Sequence, residues 1–184
     1  MGRMRVRTLG LLAVCAVTVV GCGDVPDPKN PGSTSSKSSG GDGKGVKVGD
    51  TAPTFSLDSA NGMGKLEIKP GKVVIVDFWA TWCEPCKKSF PKLQELYMKH
   101  KASGLEIVAI SVDDEKSGIP DFVKTHGAKF PVGWDDGKKI ADRWKPENMP
   151  SSYVIDKKGV VKHVHRGYHD GEDAELEKEI KALF

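Results

Sequence analysis

Two cysteines, Cys83 and Cys86, stand one helical turn apart directly after the run Val73-Val74-Ile75-Val76-Asp77-Phe78-Trp79-Ala80-Thr81-Trp82. Thiols at this spacing can close and reopen a disulfide, or supply half of a tetrahedral zinc site. The zinc reading needs two further ligands, and the chain has no second Cys pair: its other cysteines, Cys15 and Cys22, stand singly near the N-terminus. Thiol-disulfide exchange needs an accessible thiolate, a second thiol to close on the mixed disulfide, and a group to move the proton. Cys83 falls where a helix should start, and free N–H groups and the positive end of the macrodipole favour a thiolate there. Cys86, one turn further in, is placed to resolve. Asp77 is the one acid in the apolar run, where burial would raise its pKa and let it exchange a proton with Cys86. Pro85 fits the first helical turn, which has no intrahelical use for its N–H. Glu84, a carboxylate beside Cys83, should disfavour the thiolate and so point to a reductant.

These residues need a scaffold, and its elements are legible. Val73–Trp79 is nearly continuous in apolar residues and rich in valine, which fits a strand covered on both faces. The helix after Cys86 carries Phe90, Leu93, Leu96 and Tyr97 on one face, with Pro91 expected to bend it. Leu105–Val112 predicts the next buried strand, Ile119–His126 a short helix ended by Gly127, and Phe130-Pro131-Val132 an extended piece. Lys138–Trp144 predicts a further helix. Residues 152–156 and 160–165, joined by Lys157-Lys158-Gly159, predict an antiparallel hairpin. Glu172–Leu183 predicts an amphipathic helix with Leu176, Ile180 and Leu183 toward the core. His163, His165 and His169 are expected at the surface.

With those residues in view, the segment Trp82-Cys83-Glu84-Pro85-Cys86-Lys87-Lys88, approached by Phe78-Trp79-Ala80-Thr81, resembles the thioredoxin superfamily and within it the extracytoplasmic TlpA/ResA branch. The resemblance spans about Val46 to Phe184. It implies an α/β, thioredoxin-like fold: a central mixed sheet flanked by helices, with an N-terminal strand extension turned at Asn61-Gly62 and a central insertion between Cys86 and Pro150. It also implies that Asp77 is the family's acid, that Pro150 is cis, and that the Met149 backbone opposite Cys83 binds an extended substrate strand. Asn148 stands where the family usually has Gly, with positive φ tolerated by Asn. Ser89 stands where many relatives have an additional acid, which leaves Asp77 as the one proton carrier. Trp79 and Trp82 are expected to shield the disulfide.

The N-terminus reads as an address. Arg3, Arg5 and Arg7 precede an apolar run from Thr8 to Val20, shorter than the ~20 residues of a membrane span but suited to a secretory signal over residues 1–21. Val19-Val20-Gly21-Cys22 resembles a bacterial lipobox, which implies lipidation of Cys22 in the bacterial cell envelope, on the extracytoplasmic or periplasmic face. Residues 24–45 are Pro, Gly, Ser, Lys and Asp with almost nothing apolar, so residues 22–45 form a lipidated flexible tether reaching roughly 25 Å. Residues 46–184 are one domain of ordinary size, expected as a monomer.

The chain has 28 Lys+Arg and 25 Asp+Glu. Removing the signal, with three arginines and no acid, leaves 25 of each, so nothing supports nucleic-acid binding. No cofactor is expected beyond the redox-active disulfide Cys83–Cys86. By resemblance the substrates are protein disulfides, apocytochrome c among them in cytochrome c maturation, and a membrane thiol-transfer reductant recycles the pair. Two other functions share features. A peroxiredoxin-like peroxidase would share Val48–Leu57, but its Pro-x-x-x-Thr-x-x-Cys pattern meets Val76 and Ala80 here. A copper-binding metallochaperone could use the two cysteines and a histidine, although its family spaces the cysteines by three residues.

Overall fold

The computed structural model describes residues 44–184; the signal over 1–21, Cys22 and nearly all of the 22–45 tether lie outside the described residues. Among the described residues no helix is long and apolar enough to cross a membrane.

The buried run becomes strand β3 (Val73–Trp79), and every one of its residues is buried. It pairs in parallel with β4 (Leu105–Ser111) on one side and antiparallel with β6 (Ser151–Ile155) on the other. β5 (Val132–Trp134) extends the parallel edge and β7 (Val161–Arg166) the antiparallel one, giving a mixed sheet ordered β5-β4-β3-β6-β7. Successive side chains of a strand point to opposite faces, and ring contacts identify those faces. Trp79 stacks on Phe90 of α1 (Glu84–His100) at 4.6 Å and on Phe122 of α2 (Ile119–Thr125) at 4.4 Å. Phe78 packs instead on Trp144 of α3 (Ala141–Trp144) at 5.6 Å and on Tyr153 at 5.9 Å. Asp77, two residues before Trp79, therefore shares the α1 face. Each large side chain fully buried in these clusters contributes on the order of 1.5–3 kcal/mol of transfer free energy. α4 (Glu172–Lys181) joins α1 on that face through Leu176 and Ile180.

The structure differs from the sequence reading at several points. The N-terminal strand pair is only β1 (Leu57–Asp58) with β2 (Lys65–Leu66); the segment before it makes a single bridge, Thr51 to Val160. The Asn61 side chain binds this pair to the sheet, donating to Phe130 O at 2.9 Å and accepting from Val132 N at 3.3 Å. Gly133 of β5 allows the approach, since a Cβ there would sit 2.5 Å from Leu57 Cδ2. The helix predicted from Lys138 starts only at Ala141, because Gly137 and Lys138 take left-handed conformations and the Asp135 carboxylate accepts from Ile140 and Ala141 N–H. The central insertion thus holds α2, β5, a 3-10 turn and α3. Trp79 lies in the core with Phe90 and Phe122. His165 lies under α4, its side chain 12% exposed, whereas His163 is 40% exposed and His169 60%. β7 is an edge strand, but the face bearing His163 and His165 is covered by α4, which single-strand alternation cannot reveal.

Candidate active site

Cys83 caps α1. Its backbone is extended (φ −80°, ψ 106°) and its Sγ accepts from Cys86 N–H at 3.2 Å, with Pro85 in the first turn where no N–H is needed. Cys83 is 4% exposed and Cys86 wholly buried, and the two are joined in a disulfide. The approach loop is fixed from β4's side. The buried Asp113 carboxylate accepts from Thr81 N–H at 3.0 Å, Thr81 Oγ1 at 2.7 Å and Ser111 Oγ at 2.7 Å. Sequence reasoning passed over Asp113; its signal was a short polar side chain just past a strand end, facing a Thr two residues before the first cysteine.

An open groove of about 360 Å³ runs across Cys83, walled on one side by Trp82, Glu84 and Pro85 and on the other by Pro146, Glu147, Asn148 and Met149. The Met149–Pro150 bond is cis. Trp82 is 66% exposed, an apolar wall open to solvent. Asn148 does not use the left-handed conformation expected of it, which among the described non-glycine residues only Lys138 and Lys145 adopt; its carbonyl instead accepts from Ser151 Oγ at 2.7 Å. Among the described residues no histidine lines the groove and no cluster of three metal-ligating side chains occurs.

Glu84 has a counter-ion. Its carboxylate is exposed and pairs with Lys87 Nζ at 2.7 Å, which holds its pKa below the usual range. A solvated, paired charge acts weakly on a neighbouring thiol, which argues against a large effect of Glu84 through repulsion.

Behind the disulfide the environment reverses. Asp77 is fully buried on the α1 face, under the side of α1 that buries Cys86, Ser89, Phe90 and Leu93. Its Oδ1 accepts from Ser152 Oγ at 2.6 Å, and its Oδ2 has no protein hydrogen-bond partner. Burial pushes its pKa up to about 7, the Ser152 bond opposing and the nearby Glu172 charge assisting. Ser89, at the position without the expected acid, turns its hydroxyl to Cys86 O at 3.2 Å. Of the residues singled out from sequence, Trp82, Cys83, Glu84, Pro85 and Met149 thus meet at the groove, Pro150 follows it, and Asp77 lies on the inner side with Cys86; Cys22 is outside the described residues.

The family model of the AhpC/TSA family matches residues 48–164. The chain is 41% identical over 118 residues to the thiol-disulfide oxidoreductase ResA of Bacillus thuringiensis, covering 63% of this chain and 68% of that protein. It is 37% identical over 124 residues to ResA of Bacillus subtilis, covering 66% and 69%. Among solved structures, one described as a thiol:disulfide interchange protein DsbE from Chlorobium tepidum aligns with TM-score 0.70 at 34% identity, covering 75% of this chain and 98% of that one.

Proposed function

Because the chain belongs to the AhpC/TSA family, and within it to the ResA-like thiol-disulfide oxidoreductases, we propose that it works in the reducing direction, donating electrons from Cys83 and Cys86 to protein disulfides outside the cytoplasm. The burial of Cys86 carries this reading. A thiolate there would form without solvent, and burial disfavours the charged form of a thiol. Among the described residues the one hydrogen bond at Cys83 Sγ is from Cys86 N–H. Strongly oxidising pairs depend on a stabilised reduced form, and these surroundings offer little of that.

In the proposed cycle an extended substrate segment lies in the groove between Trp82 and Met149, its disulfide against Cys83. The Cys83 thiolate attacks one substrate sulfur, forming a mixed disulfide and releasing the other as a thiolate. Cys86 then gives its proton to Asp77 and attacks Cys83 Sγ, closing the disulfide and releasing the second substrate thiol. Apocytochrome c is the substrate we propose, with Cys22 lipidated to hold the domain at the membrane and a membrane thiol reductant to recycle the pair. A peroxidase role is not favoured by the active site, where Val76 and Ala80 occupy the Pro and Thr positions of the peroxidatic pattern. Equilibration with glutathione tests the direction. We expect a potential nearer the ~−270 mV of thioredoxin than the ~−120 mV of a strong oxidant, and a value at the oxidising end would overturn it.

A further inference from the structure

On the sheet face covered by α1 and α4, strand register puts three polar side chains in one transverse row: Asp77 of β3 pairs with Ser152 of β6, which pairs with His165 of β7. Glu172, in the first turn of α4, lies over this row. It is 3% exposed, with Oε1 3.7 Å from His165 Nδ1. Together with Ser89, Leu93, Ser152 and Leu176 it lines a cavity of about 10 Å³, at the lower bound of the ~10–15 Å³ that holds one water. Two carboxylate oxygens of this region have no protein hydrogen-bond partner, Asp77 Oδ2 and Glu172 Oε2. Leaving both ionised would strand two buried anions; the Glu172 charge raises the pKa of Asp77, and carboxylates that interact strongly titrate as a pair.

We propose that Glu172 is a positioning and relay residue of the exchange reaction, acting through Asp77 to take the proton that Cys86 gives up and pass it by way of His165 to solvent. The inference rests on Asp77 being the proton acceptor of Cys86. Burial raises the pKa of both acids, while His165 and His169 pull that of Glu172 back down and Glu175 raises it. The other charged or titratable groups facing the site are Tyr168 before α4, Asp173 on it, and Lys92 of α1, which already pairs with Glu95 and Asp173. His165 is also held by Glu179, 2.8 Å from its Nε2. The step balances without an added reactant. The S–H bond of Cys86 breaks to give a proton to Asp77, the Cys86–Cys83 bond forms, and the bond from Cys83 to substrate sulfur breaks with its electron pair leaving on the substrate. That thiolate takes a proton from water while the one on Asp77 leaves through Glu172.

The test times mixed-disulfide release against pH in the wild type, Asp77→Asn, Glu172→Gln and the double variant. Removing the Glu172 charge should move the release midpoint downward, because that charge raises Asp77, and should slow release by less than the ~10²-fold that loss of a general base costs. In the Asp77→Asn background, Glu172→Gln should add nothing further. An unmoved midpoint, or a full additional loss in the double variant, would overturn the relay. Slow release in Asp77→Asn with a normal Glu172→Gln defeats the relay alone, whereas normal release in Asp77→Asn defeats the underlying reading. If Glu172→Gln fails to fold, infrared titration of the carboxylic C=O bands of the wild type substitutes for it: two coupled steps support the pair, and independent ones overturn it.

Discussion

The two sides of the Cys83–Cys86 disulfide are built on opposite principles. Toward solvent, Cys83 looks onto a broad open groove with an exposed indole and the Met149 segment for walls; in the proposed function such a surface would accept many extended peptides, because main-chain pairing and loose apolar contact do not discriminate finely. Toward the interior, Cys86 shares a closed face with buried carboxylates, one holding a 2.6 Å hydrogen bond to Ser152. There a single proton changes the energy strongly, because charge is costly without water. In the proposed function, recognition and proton handling fall one helical turn apart, so a substitution on one side should leave the other side's step nearly intact.

The largest effect should come from the interior. Asp77 titrates near 7 in the folded chain against an ordinary 3.8, so between those values the folded state binds more protons than the unfolded one and stability falls as pH rises. The contribution is complete below about 3.8 and gone above about 7. Asp77→Asn should therefore flatten this slope and stabilise the protein at pH 8 by a few kcal/mol, while its Oδ1 can still accept from Ser152. Denaturant unfolding at pH 5 and pH 8 measures it, and an unchanged slope would show that Asp77 titrates normally.

A smaller effect is expected at the groove. Trp82→Ala should weaken a model peptide disulfide by about 1–2 kcal/mol, in line with removal of a partly exposed aromatic wall, seen as a raised KM with the release phase unaltered. A slowed release phase would break the separation. The smallest effect belongs to Glu84. Since its charge is solvated and paired with Lys87, Glu84→Gln should shift the glutathione potential by less than about 30 mV, the equivalent of ~1.4 kcal/mol. A larger shift would restore the direct repulsion that the sequence suggested.

What sequence could and could not reveal follows the same division. The buried strand, the cysteine helix, the hairpin and the α4 core face were all legible, because local periodicity and the Cys-x-x-Cys spacing encode them. Asp77 was legible too, since an acid in a valine-rich strand has few explanations. Glu172 was not: a glutamate in the first turn of an amphipathic helix is an ordinary N-terminal residue, and only the crossing of α4 over β6 and β7 turns it inward. His165 and Ser152 were missed for the same reason, their row being a product of register between strands distant in sequence. The indole of Trp79 and the carboxylate of Glu84 were assigned to the disulfide by nearness along the chain, whereas the indole packs in the core on Phe90 and Phe122 and the carboxylate pairs with Lys87.

The separation of the two sides is tested most directly by single-turnover reaction of the reduced protein with a peptide disulfide, following formation of the mixed disulfide and its release as two phases from pH 5 to 9. In the wild type the release rate should climb with pH through a midpoint near 7, as the Asp77 carboxylate becomes available to take the Cys86 proton. In Asp77→Asn the first phase should be unchanged and the second slowed by about 10²-fold or more, with that midpoint lost. Equal slowing of both phases, or a release phase that keeps its rate and its midpoint, would contradict the assignment of proton handling to Asp77 behind Cys86.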